Sequence, residues 1–187
     1  MKYEYETIKY NDNLPAKITL CDTSVDRCRG EPHWHEEIQL IYIGEGSLNV
    51  TVGNKKLALN AGDILLINPC EIHSLGKGSA KYLSVHFSRI FVQSFFETAE
   101  SYGYVLEDGS QERREMVFLM QKLLAVEQNT FDQYSALAKY SLLLKMLRLL
   151  LTRCRTEKFD SVYGASPTEI KKTKRGKQVS LPLDIPA

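Results

Sequence analysis

The period of apolar and polar positions changes near Ser88. Before it, short apolar runs are separated by turn residues; after it, apolar side chains recur every three or four positions. Residues 38–43 are apolar on both parities, which predicts a strand covered on both faces. Gly44, Glu45 and Gly46 predict a turn. Residues 47–52 and 56–59 flank Gly53-Asn54, a pair that tolerates positive φ in a tight hairpin. Residues 60–63 predict another turn, 64–67 a buried strand, and 68–71 a further turn holding Pro69 and Cys70. Along 81–87, Leu83, Val85 and Phe87 alternate with Tyr82, Ser84 and His86. Strands of this length and spacing predict a sandwich or barrel. Ahead of them, 17–20 is a candidate first strand, and Tyr3, Tyr5 and Tyr10 form an aromatic arm read as packing on the barrel wall.

Beyond Ser88 the pattern predicts helices. Phe91, Phe95 and Phe96 mark a short one, and Met116, Leu119, Met120, Leu123 and Leu124 line one stripe of a second. A third is predicted from an N-cap at Thr130 to about residue 155. Leu137, Tyr140, Leu144, Leu147 and Leu151 form one stripe on it, while Leu142, Leu143, Met146, Leu149 and Leu150 cover other faces. A helix packed only on its own domain needs an apolar stripe of roughly 100°. The wider apolar surface predicts that the first stripe meets a second subunit; the alternative is a helix wholly enclosed in its own core. The chain therefore divides into an arm and barrel (1–88), a helical dimerisation segment (89–157), and a basic, Pro-containing linker or tail (158–187). That tail carries Lys171, Lys172, Lys174, Arg175 and Lys177, read as a solvated run rather than a phosphate-binding patch.

Composition narrows the class. The chain of 187 residues has 43% apolar and 25% charged residues and a net charge of +1, which gives no general attraction to nucleic acid or membrane. Its polar N-terminus lacks a signal-peptide core, and residues 142–151, the longest apolar run, contain Lys145 and Arg148. A cytoplasmic protein without a membrane partner is expected. Cys21, Cys28, Cys70 and Cys154 form no C-x-x-C motif and are expected as free thiols, Cys70 as a turn residue.

The candidate chemistry lies between Gly30 and His73. His33 and His35 stand at i and i+2 on a strand, so both point to one side; Glu37 and Gln39 share that parity. His73 follows the Pro turn. Trp34 has the opposite parity and is expected in the wall, and His86 is expected outside the group. Three uses stay open. His33, His35, Gln39 and His73 could hold a divalent metal such as Zn, Fe, Mn or Ni, weakened by a neutral amide where a carboxylate would bind more tightly. The same residues with Glu37 could hydrogen-bond a small organic ligand. Or the histidines are structural. No nucleophile–base pair surrounds Ser47, Ser74 or Ser84, and Glu36 and Glu37 face opposite ways, so no catalytic residue is assigned.

His33, His35, Gln39 and Gly46, followed by Gly62, Pro69 and His73, resemble the two motifs of the cupin superfamily, with Gln39 where the family carries Glu. The runs H-W-H-E-E-I-Q-L-I-Y-I-G-E-G and G-D-I-L-L-I-N-P-C-E-I-H-S are most similar to the N-terminal sensor domain of AraC-type transcription regulators, over roughly residues 15–155. That resemblance implies a mainly β fold, a cupin (double-stranded β-helix, jelly-roll) barrel followed by an antiparallel helix pair. It also implies a small-molecule effector such as a sugar, a homodimer, and contact with DNA only through a C-terminal pair of helix-turn-helix motifs. The residues after 156 are too few for that pair, so a sensor without its DNA reader is expected. The alternative the resemblance leaves is a stand-alone metal-dependent cupin enzyme, a dioxygenase or isomerase.

Overall fold

The computed structural model describes residues 3–10, 14–25, 30–99, 102–129 and 133–156. Cys28, Thr130 and the basic run at 171–177, on which expectations were placed, lie outside the described residues. In chain order the elements are β1 (Glu4–Tyr5), β2 (Ala16–Asp22), β3 (His33–Trp34), β4 (Ile38–Val52), β5 (Lys55–Asn60), β6 (Ile64–Ile67), β7 (His73–Phe87), α1 (Arg89–Phe95), β8 (Gly103–Tyr104), α2 (Gln111–Gln128), α3 (Ser135–Arg153) and β9 (Arg155–Thr156).

Two fifteen-residue strands, β4 and β7, pair antiparallel along most of their length. Each changes partner along its course. β4 takes β6 against Gln39–Tyr42 and β5 against Ser47–Val52, while β7 takes β2 against Lys81–Phe87 and β3 at His73. The sequence pattern split both long strands too early. The expected turn at 44–46 is a bulge within continuous β4, marked by a register shift between Ile43 and Glu45. Gly46 makes it possible: its φ is +74°, and a Cβ there would fall 1.7 Å from the Ser79 carbonyl oxygen. Likewise β7 begins at His73, not near Lys81. The Gly53-Asn54 hairpin forms as expected, with Val52 opposite Lys55 and Gly53 at φ +56°.

Period-two alternation sorts the long strands into two faces. Ile38, Leu40 and Tyr42 of β4, with Leu83, Val85 and Phe87 of β7, join one core with Met116, Leu119, Met120 and Leu123 of α2 and Leu143, Met146, Leu147 and Leu150 of α3. The opposite parity fills the sheet's interior: Ile41, Ile43, Leu48, Val50, Leu59, Ile67 and Tyr82 form a second apolar cluster. Burying each such side chain contributes about 1.5–3 kcal/mol, so the helices are tied to the sheet by the same force that closes the sheet on itself.

Helix ends follow local chemistry. Ser88 caps α1 and Ser110 caps α2, the latter accepting the Arg113 N–H at 3.0 Å. α3 starts at Ser135 behind Tyr134, with no side-chain cap, later than the expected start at Thr130. Lys139 pairs with Glu127 at 2.7 Å, and Arg153 with Glu112 at 2.6 Å, so the start of α3 lies by the end of α2 and its end by the start of α2. The pair is antiparallel. No helix among the described residues is long and apolar enough to cross a membrane.

Candidate functional site

β3, the link from β3 to β4, and β7 bring four imidazoles together. His33 pairs with His73 across the β3–β7 ladder, and Gln39 lies opposite His86 on β4–β7. Ring centroids are 4.2 Å apart for His33 and His73, 5.0 Å for His35 and His73, and 5.1 Å for His35 and His86. His33, His35, Glu37, Gln39, His73, Ser84 and His86 are all buried. The Pro69-Cys70 turn is locked onto the site: the Cys70 N–H donates to the His35 carbonyl at 2.7 Å, with Cys70 at φ +67°.

Hydrogen bonds set the rings. His33 Nδ1 donates to the Glu31 carbonyl and His73 Nδ1 to the Glu71 carbonyl, each at 2.9 Å; a carbonyl only accepts, so the proton sits on Nδ1 and Nε2 turns inward. His35 Nε2 donates to Gln39 Oε1 at 3.0 Å, and Gln39 Nε2 donates to Ser84 Oγ at 2.9 Å. That leaves His35 Nδ1 as an acceptor. His35 Nδ1, Glu37 Oε2, His73 Nε2 and His86 Nδ1 are buried without a hydrogen-bond partner. His35 Nδ1 and Glu37 Oε2 lie 3.7 Å apart.

Burial dominates the electrostatics. It holds His35 and His86 below the usual imidazole range and pushes His73 down to about 3, with neighbouring rings adding to the shift. These rings are therefore neutral near pH 7, and the close approach of His35 to Glu37 is not an ion pair. Burial also raises the Glu37 carboxyl, offset in part by the Tyr10 hydroxyl, which donates to Glu37 Oε1 at 3.0 Å.

Expectation and geometry differ at several residues. His86 belongs to the cluster, and Ser84 supports Gln39. Tyr10 does more than pack on the wall, because its hydroxyl binds Glu37. Glu6 reaches to 3.3 Å from His33 Nε2. Parity shared with Tyr82 and Ser84 was the available signal for His86; the β4–β7 register that brings it to Gln39 was not. Trp34 packs against Tyr5, the ring centroids 4.9 Å apart and the planes tilted by 55°. On α3 the stripe grades inward: Leu137 is 71% exposed, Tyr140 and Leu144 each 38%, Leu151 is half-buried, and Leu147 is 2% exposed within the chain's own core. Leu144, Leu147 and Leu151 also line a cleft of about 440 Å³ with Phe95, Phe96 and Arg148.

Among the described residues, no group of three or more His, Cys, Asp or Glu is arranged to hold a metal ion. Gln39 Oε1, the expected fourth ligand, is engaged by His35 Nε2, and His33 Nε2 faces Glu6. Of the expected set His33, His35, Gln39 and His73, the Gln39 oxygen is thus engaged, while His73 Nε2 has no partner.

A family model described as the AraC-like ligand binding domain matches residues 24–144. No curated protein sequence matches the chain. Similar solved structures include a Cupin 2 conserved barrel domain protein from Salinispora arenicola, at 16% identity and TM-score 0.37, covering 49% of this chain and 79% of that one. KdgF from Halomonas sp. is similar at 22% identity and TM-score 0.33, covering 44% and 74% respectively. Oxalate decarboxylase from Bacillus subtilis is similar at 21% identity and TM-score 0.33, covering 41% and 22%. These slight likenesses carry no functional information. The family match spans more than half of the chain, from before β3 into α3, and includes the four imidazoles, Glu37 and Gln39: the chain belongs to the AraC-like ligand binding domain family, with a cupin-type barrel.

Proposed function

We propose that the chain is the effector-binding and dimerisation domain of an AraC-type transcriptional regulator, with DNA contacted through a part outside this sequence. A small metabolite would bind among His33, His35, Glu37, Gln39 and His73. The observation that carries this reading is the set of buried polar atoms lacking partners on His35, Glu37, His73 and His86. Each buried unsatisfied polar atom costs about 1–3 kcal/mol. A self-contained barrel would gain by replacing them with aliphatic side chains, whereas a ligand that supplies the missing partners offsets the cost on binding.

The arm lies over this site. Glu6 approaches His33, Tyr10 binds Glu37, and β1 pairs parallel with β3. A ligand reaching the imidazoles would displace or reorder these contacts. A second linkage runs outward from the Pro turn: Asn68 exchanges two hydrogen bonds with the Tyr104 backbone, at 2.7 and 3.1 Å, and β8 pairs with β9 just past the end of α3. Ligand binding can bias the helix pair only by its differential affinity for two arrangements, and this linkage is where we place that difference. The exposed Leu137, Tyr140 and Leu144 support a homodimer through α3. The rival reading, a metal-dependent cupin enzyme, has less support because no group of three or more His, Cys, Asp or Glu among the described residues is arranged to hold a metal ion.

A thermal-shift screen of metabolites, neutral sugars included, tests the sensor. A true effector at a hundred times its Kd should stabilise the fold by about 2.7 kcal/mol. That gain should vanish in His73→Leu; a gain that persists there would place the ligand elsewhere. For the dimer, Leu144→Glu should halve the mass measured by sedimentation at micromolar concentration, and an unchanged mass would remove α3 from the interface.

A further inference from the structure

Three of the unpartnered atoms, on His73, His35 and Glu37, share one character. His73 Nε2 is a lone pair because Nδ1 carries the proton that goes to the Glu71 carbonyl. His35 Nδ1 is a lone pair because Nε2 donates to Gln39 Oε1. Glu37 Oε2 is a carboxylate oxygen whose twin already accepts from Tyr10. The three are acceptors, none of them a donor; two lie 3.7 Å apart, and the His35 and His73 rings are 5.0 Å apart. Arg89 is drawn off by Glu36 at 3.2 Å, and Lys17 stands opposite His86 across the β2–β7 ladder.

We infer that the site takes a protonated amine, its ammonium group seated between Glu37 Oε2, His35 Nδ1 and His73 Nε2. This rests on the ligand-binding reading above and adds the chemical class. A primary ammonium carries three N–H donors and a positive charge, matching three acceptors of which one is anionic. A single nitrogen at about 2.9 Å from each can reach both Glu37 Oε2 and His35 Nδ1, because these lie 3.7 Å apart. The His73 ring lies 5.0 Å from that of His35, and we assign its Nε2 the third N–H. A hydroxyl brings one donor and no charge. A carboxylate or phosphate brings more acceptors to a place that already has three. Lys17 opposes a cation beside His86, which puts the ammonium at the Glu37 side.

The test uses the full chain and fragments matched in size: ethylammonium, ethanol and acetate, followed through the histidine ring nitrogens by NMR, with Zn²⁺ as a separate arm. Ethylammonium should move the His35 and His73 resonances saturably, with Kd on the order of millimolar for three heavy atoms. Ethanol and acetate should bind at least ~10-fold more weakly, and Glu37→Gln should weaken ethylammonium by ~10-fold or more while ethanol is unaffected. The wild-type series stands even if that variant fails to fold. Acetate or ethanol binding as well as ethylammonium, silence towards ethylammonium, or stoichiometric Zn²⁺ held by these rings would each overturn the inference. A neutral sugar that shifts the melting point while ethylammonium is silent would sink the amine and leave the sensor. Silence towards every small molecule would sink both.

Discussion

The barrel interior has two unlike halves. In one, Ile41, Ile43, Leu48, Val50, Ile67 and Tyr82 pack as an ordinary apolar core. In the other, four imidazoles, Glu37, Gln39 and Ser84 are buried just as deeply, several with atoms that bond to nothing. β4 and β7 contribute to both halves, while β3 and the link that follows it add His33, His35 and Glu37 to the polar one and β6 adds Ile67 to the apolar one. The apolar half shows that this sheet can fill itself; the polar half is therefore a departure, and it weakens the fold where it stands.

Acid should expose the contrast most strongly. Burial lowers the folded-state pKa of His35, His73 and His86, so below about 6.5 the unfolded chain binds protons that the folded chain refuses. Stability is then lost as pH falls from about 6.5 towards 3, by up to about 1.4 kcal/mol per pH unit for each such histidine. The raised carboxyls of Glu37 and Glu71 work the other way, since the folded chain takes up their protons first. Three imidazoles outweigh two carboxyls, and the urea midpoint should fall steeply between pH 7 and 5. A flat profile would mean that the imidazoles are not held neutral.

The apolar half should fail differently. Ile41→Ala removes a fully buried side chain and should cost about 2–5 kcal/mol at any pH. Asn68→Ala, which cuts the two bonds to Tyr104, should cost about 1–2 kcal/mol and reduce any effect of ligand on the dimer. An effector response that survives this change intact would move the coupling route elsewhere.

Much of this was legible in the chain. Period-two runs with glycine and proline turns marked the sheet, and the change of period at Ser88 marked the helices. His33, His35 and Gln39 share one parity along 33–39, so local spacing sufficed to group them, although the structure breaks that stretch between β3 and β4. His86 and Ser84 could not be grouped that way, because only the β4–β7 register carries them to Gln39. Gly44-Glu45-Gly46 has the composition of a turn, which hides the continuity of β4, and β7 extends well ahead of the alternation at 81–87. In the fold Gly46 makes a bulge, and Gly78 lets the Ser47 backbone approach: a Cβ there would lie 2.3 Å from the Ser47 oxygen. Inward-facing Leu147 was equally hidden, since a stripe of leucines does not say where along its length it leaves the core.

The smallest stability change should carry the largest functional one. His73→Leu loses one hydrogen bond to the Glu71 carbonyl, worth about 1 kcal/mol, and removes a buried nitrogen whose lack of a partner costs about 1–3 kcal/mol. A branched aliphatic of similar bulk fills most of the space. The two effects nearly cancel, so the midpoint at pH 7.5 should move by less than about 1 kcal/mol, and the acid sensitivity should drop by as much as one proton. If His73 were only a structural residue, its loss would show as a clear destabilisation, with no reason for ligand binding to disappear. If it is held at a cost for the sake of a ligand, the variant should be as stable as the parent, less sensitive to acid, and unable to bind the effector. Urea titration at two pH values and one binding isotherm separate these outcomes.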